Sequence, residues 1–186
     1  MSFTKQYKKT MNKLYAKVED KDYNYRETYK QRLMDFRKFE NTVTKLENPT
    51  NLTRAKSLGY KAKKGLFTAV VRVHRGGGLF RPEHNGRRPK RMGFKKLTRN
   101  LSIQRIDEMR AVNKYINCEV INSYFVGEDG KYKYYEIILA SKNQPELIKD
   151  KILKKIIKIN GRANRGLTSA GKKGRSLRKI RQTTKK

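Results

Sequence analysis

Acidic residues are scarce in this sequence: 16 Asp and Glu stand against 48 Lys and Arg, a formal charge of +32 over 186 residues. A solvated basic surface on a small domain carries only a few net charges. The excess therefore excludes an ordinary balanced surface and implies a polyanionic partner, with nucleic acid the default. Cysteine is almost absent. The single Cys118 excludes an intrachain disulfide, and its apolar neighbours Val120 and Ile121 suit a small buried hydrophobe. Two well-separated histidines, His74 and His84, offer no zinc spacing, so no metal or cofactor is expected. No apolar run approaches the length of a membrane span, and the N-terminus lacks a signal-peptide pattern, which leads to the expectation of a cytoplasmic protein. Only 35% of residues are apolar, below the usual range of about 45–50%. Part of the chain is thus expected to lack a core of its own and to be ordered by the partner.

The periodicity predicts an α+β fold: a small antiparallel sheet with packed helices, a helical N-terminal region at 1–50, a core at 51–150 and an extended basic tail at 151–186. Phe3, Tyr7, Met11, Leu14 and Val18 recur at helical spacing, as do Tyr25, Tyr29, Leu33 and Phe36. Such aromatic stripes serve packing more often than base stacking. A short helix ending before Gly59 precedes a β-branched strand at 66–73. A long basic loop follows at 74–97, and loops of that length are usually functional or ordered by a partner. Ser102 to Ile116 reads as a helix with Ile103, Ile106, Met109 or Arg110, and Ile116 along one side. Val120–Val126 and Lys131–Ala140 flank Gly127-Glu128-Asp129-Gly130, the mark of a β-hairpin. Along the second strand, Tyr135, Ile137 and Leu139 face one way, and Tyr132, Tyr134, Glu136 and Ile138 the other. Pro145 opens a further helix. Beyond Asp150 no acid remains and the last 36 residues carry 14 Lys or Arg, a composition that suggests an interaction arm unable to offset its ordering entropy by burial.

Catalytic patterns are missing. Glu128 and Asp129 are adjacent but fall in the predicted turn, where exposure should leave their acidity ordinary. No nucleophile–base arrangement is evident, so the chain is expected not to be an enzyme. Gly166-Leu-Thr-Ser-Ala-Gly171-Lys172-Lys173 matches a phosphate-binding loop up to its last position. There Lys173 replaces the magnesium-binding hydroxyl, and no buried strand precedes the loop. The glycines would still let backbone amides approach a phosphate that Lys172, Lys173 and Arg175 neutralise. Gly76-Gly77-Gly78 lacks dinucleotide-fingerprint spacing. As a flexible turn it would be bland, but with Arg75 and Arg81 on either side a close backbone approach to RNA fits better. Gly86-Arg87-Arg88-Pro89-Lys90-Arg91 reads as a nuclear-targeting peptide or as an RNA-embedded loop in which proline preorganises an extended strand.

Four motifs in order carry a family resemblance: Leu58-Gly-Tyr-Lys-Ala-Lys-Lys-Gly65, Asn85-Gly-Arg-Arg-Pro-Lys-Arg-Met-Gly93, Asn122-Ser-Tyr-Phe-Val-Gly-Glu-Asp-Gly-Lys-Tyr-Lys-Tyr-Tyr-Glu136 and Arg165-Gly-Leu-Thr-Ser-Ala-Gly-Lys-Lys173. The chain resembles large-subunit ribosomal protein fifteen of the archaeal/eukaryotic type, over roughly residues 50 to 178. The Arg-Arg-Pro-Lys-Arg-Met-Gly loop and the short C-terminus look like the archaeal branch. Two features depart from the family pattern: Phe125 stands where Trp is usual, read as a repacked core, and Leu79-Phe80 and Glu83-His84 interrupt a more uniformly basic loop. The resemblance implies large-subunit rRNA and neighbouring ribosomal proteins as partners, with location in the cytoplasmic ribosome, no membrane and no small-molecule substrate.

Residues expected to meet RNA fall in three segments. The first holds Arg54, Lys56, Tyr60, Lys61, Lys63 and Lys64. The second holds Arg72, Arg75, Gly76, Gly77, Arg81, Arg87, Arg88, Lys90, Arg91, Lys95, Lys96 and Arg99. The tail contributes Arg162, Arg165, Gly166, Gly171, Lys172, Lys173, Arg175 and Arg178. Recognition by shape and phosphate neutralisation is expected. A chromatin-type DNA-binding protein is the alternative on composition alone.

Overall fold

A computed structural model describes residues 2–20, 23–77, 86–93 and 97–177. Helix α1 spans Phe3–Ala16 and buries Met11 and Leu14. Helix α2 spans Tyr25–Lys38, starts where the Asn24 side chain accepts from the Glu27 amide, and buries Tyr29, Leu33 and Phe36. Its aromatic stripe is therefore packing surface. A short edge strand β1, Val43–Leu46, precedes α3, Leu52–Ser57, which Asn51 caps in the same way. Strand β2 is Leu66–His74, α4 is Ile103–Lys114, β3 is Cys118–Glu128 and β4 is Tyr132–Ser141. Three short helices follow among the described residues: α5, Pro145–Lys149; α6, Lys151–Ile157; and α7, Ser169–Gly174.

The four strands form one sheet in the order β1-β2-β4-β3, antiparallel throughout. The fold class is α+β, as the pattern predicts. Alternation along β4 divides the core between the two faces. Tyr134, Ile138 and Ala140 join Val70, Tyr124 and Val126 beneath α1, α2, α5 and α6. Ile137 and Leu139 join Val71 and Val120 beneath Ala111 and Val112 of α4. Glu136 is buried on the first face, where it accepts from the Thr50 amide and hydroxyl and from the Tyr124 hydroxyl.

Four expectations need correction. Helix α4 does not bury its isoleucine side. Its fully or nearly buried positions are Asp107, Glu108, Ala111 and Val112, and Ile116 lies outside the helix and is exposed. Small residues let α4 sit close on the sheet, and its two acids go inward. Phe125 is not in the core: it is 40% exposed and meets the Tyr135 ring edge-on at 5.5 Å. Asp129 is not an ordinary turn carboxylate. It is buried, its Oδ1 accepts from the Lys131 and Tyr132 amides, and its Oδ2 accepts from Arg37 and the Tyr134 hydroxyl. Burial alone would raise its pKa, but the Tyr132 amide, Arg37 and the remaining donors together hold it at about 2.

The fourth correction concerns the acid-free segment, for which composition predicts no burial. Between residues 151 and 171 it sends side chains into the core, while residues 172–177 are exposed. Leu153 and Ile157 are buried against the first face, and Ala163 against the second. Burying each large aliphatic contributes about 1.5–3 kcal/mol, which accounts for docking of a segment that charge alone would expel.

Candidate nucleic-acid interface

The basic residues nominated from sequence divide into cations engaged by the protein itself and cations left at the surface. In the first segment, Lys61 reaches Asp150 at 2.5 Å and Lys63 lies 3.7 Å from the same oxygen. Asp150 also caps α6 through the Ile152 and Leu153 amides. The hydrogen bond from Lys61 is the main reason that its pKa lies down at about 2. Tyr60 is half-buried against the core. Arg54, Lys56 and Lys64 are exposed, and their side chains have no internal partner among the described residues.

In the second segment, three arginines act as internal fasteners. Arg72 donates to the Phe39 and Glu40 carbonyls, both at 2.9 Å, and stacks over the Tyr132 ring. Arg75 donates to the Asp129 carbonyl at 2.7 Å. Arg99 donates to the carbonyls of Gly76 and His74. Gly77 has a local reason for being glycine: a Cβ there would lie 2.4 Å from the Leu97 carbonyl oxygen. Its close approach is to its own chain. Gly76 holds φ +88° and faces open space. Arg87, Arg88, Lys90 and Arg91 are exposed around a 3-10 turn, Pro89–Arg91, so Pro89 starts a tight turn instead of stiffening an extended strand. Gly78, Arg81, Lys95, Lys96 and Arg178 lie outside the described residues.

In the third segment, the glycine motif clips the chain to the core. Thr168, fully buried, caps α7 by accepting from the Gly171 amide and donates to Glu108 Oε2 at 2.5 Å. The other oxygen of Glu108 accepts from Ser123 at 2.5 Å. Burial raises the pKa of Glu108, opposed by these hydroxyls. A Cβ on Gly171 would meet the Gly166 Cα at 2.5 Å. That glycine pair is therefore packed against itself, and the expectation that Gly171 admits a phosphate to the backbone is corrected. Arg175 donates to the Gly166 carbonyl, Arg162 to the Val120 carbonyl, and Arg165 to the Asn160 carbonyl. Desolvation lowers the pKa of the half-buried Arg162. Lys172 and Lys173 remain exposed on α7.

Comparison with known proteins decides what this basic surface belongs to. The sequence family described as "Ribosomal L15" matches residues 6–186. The chain belongs to this family. Curated relatives agree. A "Large ribosomal subunit protein eL15" from Methanocella arvoryzae is 51% identical over 162 residues, covering 86% of this chain and 82% of the relative. Proteins of the same name from Methanospirillum hungatei (48% over 158 residues; 84% and 80%) and Picrophilus torridus (51% over 151 residues; 80% and 76%) are also similar. These three relatives are archaeal.

Membership of the Ribosomal L15 family draws attention to basic residues that the three segments omit. Lys151, Lys154, Lys155 and Lys158 are all exposed on or just after α6. Their spacing, with Leu153 and Ile157 turned inward, is a signal present in the sequence. Among the described residues, no group of three or more His, Cys, Asp or Glu side chains is placed to hold a metal ion, and no helix is long and apolar enough to cross a membrane.

Proposed function

We propose that the chain is a structural constituent of the large ribosomal subunit, in the cytoplasmic ribosome, that stabilises folded rRNA by neutralising phosphate. It works by binding and not by catalysis. Family membership and the names of the archaeal relatives support the subunit assignment. The observation that carries the mechanism is the separation of the cations into two sets. Arg72, Arg75, Arg99, Arg162 and Arg175 direct N–H groups to backbone carbonyls. They are thereby held in place, so little side-chain entropy is lost when a phosphate arrives. Exposed cations such as Lys64, Arg87, Arg88, Lys172 and Lys173 supply mobile countercharge. Neighbouring ribosomal proteins are the second class of partner.

Competition decides the mechanism. Binding of the full chain to a structured rRNA fragment is measured against duplex DNA at matched salt of about 200 mM. Preference for the folded RNA is expected. Equal binding would replace this reading with general polyanion or DNA packaging. Separately, the protein should travel with large subunits through a salt wash of about 0.5 M, and full release there would reduce the attachment to peripheral ion pairing.

A further inference from the structure

Strand β2 ends at His74, and cations from distant parts of the sequence converge on its last residues. Arg99 donates to the His74 carbonyl at 3.0 Å and to that of Gly76 at 2.9 Å. Arg110, exposed on α4, donates to the Arg72 carbonyl at 3.0 Å. Arg72 and Arg75 are themselves held by the carbonyls of Phe39, Glu40 and Asp129. A guanidinium has five N–H groups, so each keeps donors to spare after these bonds. Against these cations stand Glu128, paired with Lys133 at 3.0 Å and Arg75 at 3.8 Å, and Glu40, whose main chain Arg72 holds. The cluster is assembled before any ligand arrives.

Two rings lie in the middle of it. His74 pairs with Tyr132 across the β2–β4 ladder, their centroids 4.5 Å apart and their planes tilted by 45°. The Lys131 ammonium and the Arg72 guanidinium lie 5.4 and 5.6 Å from the centre of the Tyr132 ring. Cross-strand packing explains Tyr132, which is half-buried against the core. The exposed His74 ring gains less from packing. An exposed ring amid cations offers a nucleotide both of its needs, a π-face for the base and countercharge for the phosphates.

We propose that the end of β2 is a binding site for an unpaired RNA nucleotide, whose base stacks on His74 while Arg99 and Lys131 take its flanking phosphates. This deepens the ribosomal reading and rests on it for the ligand being RNA. The basic segments neutralise phosphate wherever it lies, whereas this site adds a contact to a base. Bases within a duplex are stacked on each other, so the nucleotide comes from a loop, a bulge or a strand end.

Titration of the free full chain at about 0.15 M salt tests it. The probes are two fluorescent RNA strands of about eight nucleotides, one of adenosine throughout and one of abasic riboses, which carry equal numbers of phosphates. The parent should bind the adenosine strand about fivefold or more tightly than the abasic strand. His74→Ala should abolish that preference, with the melting temperature and the affinity for the abasic strand unchanged. His74→Phe should retain the preference. Lys131→Gln should weaken both strands alike and reduce the salt slope by roughly 0.7. Equal affinity of the parent for the two strands would overturn the proposal. A preference that survives in His74→Ala would do so too, and a lowered melting temperature beside it would make His74 a packing residue. No ribosome enters the titration. Its failure leaves the large-subunit assignment standing, and release from subunits in the salt wash leaves the titration to judge the site.

Discussion

Thr168 donates its hydroxyl to Oε2 of Glu108 at 2.5 Å across sixty residues of sequence, and both side chains are fully buried. This hydrogen bond joins the Arg162–Val120 bond and the contacts of Glu119 with the Gly161 and Arg162 amides in tying the acid-free C-terminal segment to the second face of the sheet, and Glu108 is itself held from its other side by Ser123 on β3. Thr168→Val keeps the shape and removes the donor, leaving a buried carboxylate oxygen unsatisfied at a cost of about 1–3 kcal/mol. Gly171→Ala should cost more, since its Cβ has only the Gly166 backbone to displace. Both should lower the melting temperature by several degrees and open the segment after residue 160 to trypsin. A variant that melts like the parent would show that the segment is held elsewhere.

Asp107 presents the opposite case. It is fully buried and neither carboxylate oxygen has a hydrogen-bond partner among the described residues. Burial, opposed by Arg110, raises its pKa to about 9. The folded chain therefore keeps a proton that the unfolded chain releases near pH 4, and stability must fall as pH rises between about 4 and 9. Asp107→Asn removes that dependence. The variant should be more stable than the parent by about 1–3 kcal/mol at pH 8, with little gain near pH 4, as measured by urea unfolding at the two pH values. A constant difference across the range would mean that Asp107 does not retain the proton.

Asp129 should produce the reverse slope. Its pKa is depressed to about 2 by the hairpin amides, Arg37 and Tyr134, despite burial. The stability it contributes is present above about pH 4, the ordinary carboxylate value, and is lost as pH falls through about 2. Asp129→Asn should destabilise the hairpin at neutral pH and flatten the acid limb of the unfolding curve. An acid limb identical to the parent's would assign acid sensitivity to other carboxylates.

Engaged and exposed cations should separate cleanly by experiment. Lys172→Ala/Lys173→Ala should leave the melting temperature unchanged and reduce the slope of log affinity against log salt by roughly 0.7–0.9 for each phosphate that is no longer neutralised. Arg72→Ala should first lower stability, because the Phe39 and Glu40 carbonyls lose their donor. Calorimetry paired with RNA titration over a salt series distinguishes the two. Equal loss of stability in both variants would abolish the distinction.

Much of the architecture is legible in the linear order of residues. Alternation along Tyr132–Ala140 assigns the two faces of β4, and Asp129-Gly130 marks the turn before it. Helical spacing locates α1, α2 and α4, whereas the Ser102 cap on α4 is seen only in the structure. The edge strand Val43–Leu46 is harder to see, since four residues carry too little pattern to stand out without their partner β2.

The sequence by itself determined the charge, the helix and strand periods and the turn chemistry, because these depend on residues a few positions apart. It also carries the motifs that place the chain in its family. Only the tertiary structure decided which side of α4 faces the sheet, that Asp129 is buried, and that Arg72, Arg99 and Arg175 are fasteners first. It also decided that Gly166 and Gly171 pack on each other and that Thr168 beside them fastens the tail to Glu108. The physical reason is range. A charge acts wherever it lies, but a hydrogen bond or a close backbone approach exists only once distant segments have been brought within about 3 Å of each other.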